Sequence, residues 1–454
     1  MAKRYEKYKD SGIAWISEIP KHWEATNFRY FINILTDYTA NGSFGDLSKN
    51  VEYIGHRSYA RLIRLTDLRE DLNNENGVWV NEKAYNYLSK SSLYGGELLL
   101  ANVGAYSGYS CIMPKVDYPT TLAPNMFLIK QYKKDLNTKY LWYLLSSKMF
   151  FNYLQIVALS SAQPKLNKEN IRQTPIIIPP IIEQEQIAKY LDWKCGEVDK
   201  IVEVRERQIK LLGELRTSVI SRAVTRGLNP NAPLKDSSID WIRQIPEHWE
   251  IKKVKFTGKA IIGLTYSPND IIDKGGSIVL RSTNIQNGVL DLSDKVRVNS
   301  SISEKLKIRK GDVLLCSRNG SASLVGKCAY IGDVLDGVTW GAFTTVLRSS
   351  MKKYLYYALN SDIMKFYLGM FSTSTINQLT TGTLNNMELL IPPATEQQQI
   401  ADYLDKKTAE IDSTINKFKV QIDKLKEYKQ ALITEVVTGK IDVRGIEIPT
   451  PKNN

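Results

Sequence analysis

Apolar residues recur every seven positions along two stretches of this chain. In the later stretch they are Leu404, Ile411, Phe418, Leu425 and Leu432, and a second row holds Ile415, Ile422 and Val436, interrupted by Thr408 and Lys429. In the earlier stretch they are Leu191, Val198, Leu212 and Val219, with Arg205 as the exception. Such a stripe, kept over several heptads, is typical of a helix that packs lengthwise on another helix. We predict one long helix within residues 178–227 and one within 391–437, each of roughly 40 residues and therefore about 60 Å long.

Prolines mark the start of both predicted helices. Pro-Pro precedes Glu183 and Gln184 in the first copy, and Pro-Pro-Ala-Thr precedes Glu396 and Gln397 in the second. Proline holds the preceding backbone extended, and acidic residues are favourable in a first helical turn. Thr395 is the predicted N-cap of the second helix.

Two segments of the chain are nearly duplicated. Residues 9–24, KDSGIAWISEIPKHWE, return as residues 235–250, KDSSIDWIRQIPEHWE, and the helix start IPPIIEQEQIAKYLD (178–192) returns as IPPATEQQQIADYLD (391–405). We call residues 9–24 and 235–250 the frame segments. Their tryptophans, Trp15 and Trp241 among them, are predicted to pack on the base of the helices or on a partner subunit. Because the end of the second helix would continue naturally into the first frame segment, we predict that the termini lie close together, with pseudo-two-fold symmetry.

Residues between the duplicated segments barely resemble each other, yet both sets contain strand-like runs separated by turns, followed by a helical piece. Short correspondences survive, such as RLTDL at 64–68 with RSTNI at 281–285. The predicted fold is therefore mixed α/β (α+β), with two globular modules separated by two long antiparallel helices in a coiled-coil pair. The predicted divisions are a frame segment at 1–24, a first module at 25–177, a central helix at 178–227, a linker with the second frame segment at 228–250, a second module at 251–390, a C-terminal helix at 391–437 and a tail at 438–454.

Composition narrows the class of protein. The chain has 454 residues, 43% of them hydrophobic, with a formal net charge of +13. This length allows two or more full-sized domains, and a basic balance suits a phosphate-rich partner such as nucleic acid. No signal peptide or membrane-spanning run is evident, so we expect a cytoplasmic protein. The four cysteines, without CxxC spacing, predict reduced thiols and no zinc site.

The usual catalytic motifs are missing from the sequence. Of three histidines, His22 and His248 occupy the same repeated position, which leaves little for a catalytic triad or a histidine-rich metal site. No phosphate-binding GxxxxGK[ST] loop or GxGxxG fingerprint occurs. Two nuclease-like E-x-K triplets, at 250–252 and 427–429, are interpreted as surface charges. We therefore expect a chain without catalytic activity.

Polar loops after the predicted strands supply the candidate DNA contacts. Arginine suits guanine or phosphate, asparagine suits adenine, and hydroxyl groups suit phosphate oxygens. The candidates in the first module are Arg57, Arg61, Arg64, Asn102, Tyr106, Tyr109, Gln163 and Lys165. Those in the second module are Arg281, Asn284, Ser317, Arg318, Asn319, Ser321, Thr375 and Asn377.

This order of frame segment, module and IPPxxEQxxIAxxLD helix, repeated once, resembles the specificity subunit of type I restriction-modification systems. The resemblance covers essentially the whole chain and includes SSAQPKL (160–166) followed by IIIPP. It implies that the modules are target recognition domains, each reading half of a bipartite DNA sequence, while the helices set the spacer and dock two modification subunits. It further implies S-adenosylmethionine on the modification subunits, and ATP and Mg on restriction subunits, with no cofactor in this chain. TSTINQL (373–379) departs from the more polar loop usual in the family, which weakens the transfer of roles to Thr375 and Asn377.

Two other classes remain open at this level. One is a fused DNA methyltransferase or nuclease whose motifs are not recognised. The other is a coiled-coil adaptor with protein ligands only.

Overall fold

The computed structural model describes residues 3–69, 72–74, 76–131, 135–159, 164–239, 242–333, 336–371 and 378–449. The chain divides into two compact units, which share the long helices. Unit 1 comprises Met1–Val204 and Gln421–Asn454, and unit 2 comprises Arg205–Val420.

Unit 1 is built from short strands with helices packed on them. Its strands are β1 (Tyr8–Ile13), β2 (Ile16–Pro20), β3 (Glu24–Asn27), β4 (Ile32–Asp37), β5 (Ala60–Ile63), β6 (Val78–Val80), β7 (Ser92–Leu93), β8 (Leu98–Ala101), β9 (Ser110–Ile112), β10 (Thr120–Leu122), β11 (Met126–Gln131) and β12 (Pro175–Ile178). Its helices are α1 (Phe44–Asn50), α2 (Leu65–Arg69), α3 (Glu82–Tyr87), α4 (Thr138–Ser146), α5 (Lys148–Leu159), α6 (Lys168–Gln173) and the first part of α7 (Ile181–Arg226).

Unit 2 uses the same kinds of element. Its strands are β13 (Leu234–Asp236), β14 (Gln244–Pro246), β15 (Glu250–Lys253), β16 (Gly258–Ile262), β17 (Ile271–Ile272), β18 (Ser277–Leu280), β19 (Ile285–Gln286), β20 (Val289–Leu290), β21 (Val296–Val298), β22 (Val313–Cys316), β23 (Cys328–Tyr330), β24 (Val338–Trp340), β25 (Thr344–Ser349) and β26 (Glu388–Ile391). Its helices are the second part of α7, then α8 (Lys352–Leu359), α9 (Asp362–Phe371), α10 (Thr381–Asn386) and the first part of α11 (Ala394–Val437).

The two units share one strand topology. The order β4-β11-β8-β9 in unit 1 corresponds to β16-β25-β22-β23 in unit 2, and every pairing in both sheets is antiparallel. A parallel pair also recurs, β5 with β10 and β18 with β24. The strand before each long helix pairs with the strand after each frame segment, β12 with β3 and β26 with β15. The predicted mixed fold of two related modules is confirmed.

The long helices begin three residues after their predicted starts. Ile178 and Ile391 end strands β12 and β26, and α7 and α11 start beyond the prolines, with 46 and 44 residues. The prediction of Thr395 as N-cap is wrong: α11 already includes it, because the Pro393 carbonyl accepts the Gln397 N–H at 2.9 Å.

Within each unit, the parts of α7 and α11 contact each other in antiparallel order. In unit 1, Gln186 donates to the carbonyl oxygens of Val443 and Ile446, just beyond α11, and Lys429 binds Asp199 at 2.7 Å. In unit 2, the guanidinium of Arg205 lies 4.6 Å from the Phe418 ring centre, and Arg216 binds Asp412 at 3.1 Å. Two of the polar residues that interrupt the apolar stripe, Arg205 and Lys429, are therefore interhelical contacts.

The N-terminal segment packs on the chain just after α11. Asp442 N–H donates to the Lys3 carbonyl at 2.8 Å, and Tyr8 Oη donates to the Gly439 carbonyl at 2.9 Å. The Arg444 guanidinium lies 4.8 Å from the Tyr5 ring centre. The prediction that the termini lie close together is confirmed.

Each frame segment is fastened to the first turn of a long helix. Trp23 Nε1 donates to Glu183 Oε1 at 3.1 Å, and His22 Nε2 lies 2.8 Å from Glu183 Oε2. In unit 2, Trp249 Nε1 and His248 Nε2 make the same contacts with Glu396, at 3.0 and 2.7 Å. Trp23 and Trp249 are fully buried.

Trp15 of the first frame segment packs between Phe150 and Tyr153. Its counterpart, Trp241, lies outside the described residues. Trp23 and Trp249 therefore confirm the predicted packing on the base of the long helices, whereas Trp15 packs on α5.

Two features are absent from the described residues. None of the helices there is long and apolar enough to cross a membrane. Nor does that part of the chain hold a group of three His, Cys, Asp or Glu side chains placed to bind a metal ion.

Candidate nucleic-acid interface

Three loops of unit 2 converge beyond the ends of neighbouring strands. They are residues 281–284 after β18, residues 317–321 after β22, and the turn 341–343 between β24 and β25. The Phe343 carbonyl accepts the N–H groups of Ser317 and Arg318 at 3.1 and 3.0 Å, and Asn319 Nδ2 donates to Ser282 Oγ at 3.1 Å. The backbone itself therefore brings together the candidate residues of these loops.

Unit 2 presents part of this predicted set at its surface. Arg318 is exposed, and its guanidinium lies 5.3 Å from the Phe343 ring centre. Ser321 is exposed and Asn319 is half-buried, and the Asn319 Oδ1 accepts the Ser321 N–H at 3.0 Å. Arg281 is half-buried and binds Asp294 at 2.6 Å. Arg318 and Ser321 are thus the most accessible of these candidates.

Two other candidates in unit 2 are buried and hold the loops in place. Asn284 donates to the carbonyl oxygens of Asp291 and Asp294 at 2.8 and 2.7 Å, and its Oδ1 accepts the Arg281 N–H at 2.8 Å. Ser317 Oγ donates to the Phe343 carbonyl at 3.2 Å. Because these polar groups are engaged inside the loops, the structure places both residues in supporting positions.

A pocket of about 440 Å³ opens beside these loops. Its walls are mainly apolar and include Leu264, Tyr266, Pro268, Ile271 and Phe343. Arg281 and Thr283 also line it. A concave, mostly apolar site with a few polar groups at its edge is the usual form of a ligand pocket.

Unit 1 has the same arrangement of loops. The Asn125 carbonyl accepts the Asn102 N–H at 3.1 Å, as the Phe343 carbonyl accepts that of Ser317. Val103 forms an isolated β-bridge with Lys165, as Arg318 does with Gln378. The corresponding turn of unit 1 is therefore residues 123–125.

The exposed candidates in unit 1 are basic or aromatic. Arg57 lies 5.8 Å from the Trp79 ring centre and 6.0 Å from that of Tyr118. Tyr106 is exposed, with the Arg69 guanidinium 4.4 Å from its ring centre. Lys165 is exposed and Tyr109 is half-buried.

Arg61 and Arg64 surround a buried carboxylate. Asp67 accepts hydrogen bonds from Arg64 Nη2 at 2.8 Å and from Asn74 Nδ2 at 2.6 Å, and Arg61 Nη2 lies 3.7 Å away. Burial alone would raise the pKa of Asp67, but hydrogen bonds from Arg64 and Asn74 lower it below its usual value. Arg61 is itself buried and donates to the Leu72 carbonyl at 2.7 Å. Both arginines therefore bind groups within unit 1.

Asn102 is also buried, and in the described part of the chain its Oδ1 has no hydrogen-bond partner. Gln163, Thr375 and Asn377 lie outside the described residues. None of these observations tests a DNA contact, so the candidate set remains a prediction.

Four residues beside these loops, Arg69, Tyr266, Asn125 and Phe343, are not among the candidates that the sequence pattern singled out. The exposure of Phe343 cannot be recognised from the sequence alone, because apolar residues next to strands are usually buried in the core. The one hint in the sequence is its position in a short turn between two strands.

The two E-x-K triplets have structural partners. Lys252 forms an ion pair with Glu250, and Lys429 binds Asp199 at 2.7 Å. These contacts agree with their interpretation as surface charges.

A family model described as "Type I restriction modification DNA specificity domain" matches residues 65–209 and 246–424. The MjaVIII specificity subunit of Methanocaldococcus jannaschii, a type I restriction enzyme component, is 23% identical over 450 residues, which cover 94% of this chain and 95% of the relative. The EcoKI specificity subunit of Escherichia coli is 31% identical over 206 residues, 44% of each chain. A solved structure from work on complex assembly and conformational transition of the type I R-M system has a TM-score of 0.68, at 16% identity, covering 93% of this chain and 99% of that one.

Proposed function

Because this chain belongs to the type I restriction-modification DNA specificity family, we propose that each of its two units reads one half of a bipartite DNA target. The chain is the specificity subunit of such a system, a non-catalytic component that recognises DNA sequence. The proposal adds the division of the target between the units.

One observation carries this division. The units share a strand topology and equivalent loop hydrogen bonds, but their exposed loop residues differ: Arg57, Arg69 and Tyr106 in one, Arg318 and Phe343 in the other. A shared scaffold positions each surface in the same way, while unlike side chains meet different base edges. Two unlike surfaces imply two unlike half-sites.

Exposed cations at the loops support contact with the phosphate backbone. Arg57, Arg69 and Lys165 in unit 1 and Arg318 in unit 2 are exposed. Phosphate contacts supply affinity that falls with salt, while base contacts supply specificity. Arg61, Asn284 and Ser317 enter this proposal as supports of the loops.

We further propose that residues 25–177 and 251–390 are the target recognition domains, and that the long helices set the spacer between half-sites. Two modification subunits that bind S-adenosylmethionine, and restriction subunits that use ATP and Mg, are the proposed partners. Recognition would take place in the cytoplasm.

The test is a binding assay on the chain purified with its modification subunits. Methylome sequencing of the host first identifies the bipartite motif that carries methyladenine. Fluorescence anisotropy then measures binding to duplexes in which only the spacer length changes. We expect tight binding at the native spacer and loss of binding when two or three base pairs are added. Binding indifferent to spacer length would refute the proposal.

Exchanging residues 25–177 for the module of another family member should change one half-site only.

Two simpler assays address the other classes of function. Cleavage or methyl transfer by the chain alone, with DNA, magnesium and S-adenosylmethionine, would indicate an enzyme. DNA binding that does not respond to salt, or no DNA binding, would favour an adaptor for proteins.

A further inference from the structure

Asn125 and Phe343 occupy equivalent positions at the tips of two turns. Each turn follows a strand of a parallel pair, and its first N–H donates to the paired strand: Ala123 to the Ile63 carbonyl and Gly341 to the Leu280 carbonyl, both at 2.9 Å. The carbonyl of each tip residue then accepts the N–H of the residue that follows β8 or β22. The two turns therefore share their backbone hydrogen bonds, although only Asn125 has a left-handed φ.

Turn chemistry explains the asparagine but not the phenylalanine. Asn125 has φ of 71°, in the left-handed region that asparagine tolerates better than most residues. Phe343 has no such backbone demand, and 61% of its side chain is exposed. An aromatic ring that is mostly in water adds less to the stability of its own unit than a buried one would. Its presence calls for a role outside the folded chain.

Phe343 is continuous with a larger apolar surface. It forms one wall of the 440 Å³ pocket, together with Leu264, Tyr266, Pro268 and Ile271. Ile271 is also exposed. Contiguous apolar surface at a polar loop cluster marks an interaction site more strongly than a single exposed side chain does.

Charge beside the ring indicates the class of ligand. Arg318 lies against Phe343, with its guanidinium 5.3 Å from the ring centre, and Arg281, paired with Asp294 at 2.6 Å, lines the pocket. An apolar surface beside an exposed arginine such as Arg318 suits a ligand that combines apolar groups with phosphates. In the major groove of DNA, the 5-methyl group of thymine is the apolar feature that distinguishes one base pair from the others.

We propose that Phe343 and the pocket beside it form a specificity-determining contact that selects thymine in the half-site of unit 2, through its 5-methyl group. Arg318 packs against the ring, and its exposed guanidinium is available to a neighbouring phosphate or guanine. Asn125 is the corresponding tip in unit 1, where an amide replaces the ring and no thymine contact of this kind is made. This inference rests on the proposed division of the target between the units.

Replacing thymine by deoxyuridine tests the contact, because it removes the methyl group without changing base pairing. The full chain with its modification subunits is titrated with duplexes that carry one such replacement at a time across both half-sites. Burying a methyl group is worth about 0.8 kcal/mol, so one replacement in the half-site of unit 2 should weaken binding roughly fourfold. In the Phe343→Ala variant the same replacement should have no effect.

Two variants serve as controls. Phe343→Leu keeps an apolar side chain and should retain part of the discrimination between thymine and deoxyuridine. Asn125→Ala should leave discrimination in the half-site of unit 2 unchanged. If wild-type protein binds every deoxyuridine duplex equally well, the thymine contact is wrong, although bipartite binding and its spacer dependence would still stand.

A second measurement separates methyl recognition from insertion of the ring between bases. 2-Aminopurine placed beside the sensitive thymine brightens when neighbouring bases unstack. We expect little change on binding. A strong increase that Phe343→Ala abolishes would show a wedge and overturn methyl recognition. Failure of all spacer-dependent binding would instead refute the proposed function itself.

Discussion

Replacing Glu183 by alanine removes an acceptor that three side chains of the first frame segment and N-terminus share. Glu183 is 5% exposed and accepts from Trp23 Nε1 at 3.1 Å and from Tyr5 Oη, with His22 Nε2 at 2.8 Å. Its counterpart, Glu396, is 19% exposed and meets only Trp249 and His248 among the described residues. The variants Glu183→Ala and Glu396→Ala therefore form a matched pair, because each removes the glutamate that anchors a frame segment, in unit 1 and in unit 2 respectively.

The size of the effect follows from the donors left behind. Each buried donor that loses its partner costs about 1–3 kcal/mol, whereas a partly exposed one can bond to water instead. In unit 1 the orphaned buried donors are Trp23 and Tyr5, so Glu183→Ala should cost about 2–6 kcal/mol. In unit 2 only Trp249 is fully buried, so Glu396→Ala should cost about 1–3 kcal/mol.

Hydrogen exchange read by mass spectrometry is the suitable assay, because unfolding of two units is not a single two-state transition. Glu183→Ala should lower protection in peptides from unit 1, such as those of α5 and β12, more than Glu396→Ala lowers it in α8 and β26. Equal losses in the two variants, or a larger loss for Glu396→Ala, would refute the reasoning about buried donors.

Four further outcomes are expected. Gly439 has φ of 73° and an added Cβ would lie 2.3 Å from Pro20 Cδ, so Gly439→Ala should destabilise unit 1 in urea titrations, whereas Gly196→Ala, in open space within α7, should stabilise it by about 0.5–1 kcal/mol. Hydrogen bonds from Arg444 lower the pKa of Asp442, so the stability lost in Asp442→Asn, about 1–3 kcal/mol, should be complete above the usual pKa near 3.8 and shrink as pH falls below it. Burial, and then the hydrogen bond with Glu183, raise the pKa of Tyr5, so its contribution to the free energy of unfolding should persist below pH 10 and decline above it. Unfolding curves of Tyr5→Phe should lack this pH dependence. Arg318→Ala should reduce the slope of log affinity against log salt by about 0.9 if the side chain neutralises one phosphate, and an unchanged slope would exclude that contact.

The helices and the frame could be predicted because their signals are local. Heptad spacing and proline positions placed α7 and α11 within three residues of their starts. Arg205 and Lys429, which interrupt the stripe, could not be interpreted in this way. Their partners, Phe418 and Asp199, are distant in the sequence, so only the packed helices reveal the contacts.

The polar loops after β8 and β22 could be predicted from their positions, but neither their convergence with other loops nor the orientation of their side chains could be. Arg61 and Asn284 have the residue types of DNA contacts, yet both are buried: Arg61, in β5, donates to the Leu72 carbonyl, and Asn284 donates to the carbonyls of Asp291 and Asp294. A polar residue after a strand can cap the turn or face the solvent, and the choice depends on the register of neighbouring strands. Phe343 is the opposite case: its residue type is typical of the core, but the turn exposes it to solvent.

The comparison of the units also separates positions that the fold constrains from positions that it leaves free. Asp67 and Asn284 occupy the same place, and each accepts a backbone N–H, that of Arg64 or of Arg281, at 2.8 Å. Although the residue differs between the units, aspartate and asparagine both supply an acceptor oxygen at this position. Without that oxygen, the backbone N–H that closes the turn would lose its hydrogen-bond partner. At the turn tip, the backbone carbonyl makes the structural bond in both units, while the φ angle differs: 71° for Asn125 and outside the left-handed region for Phe343. If the proposed thymine contact holds, substitution of Phe343 should change the target preference of unit 2 while the fold persists, whereas substitution of Asp67 or Asn284 should destabilise the turn.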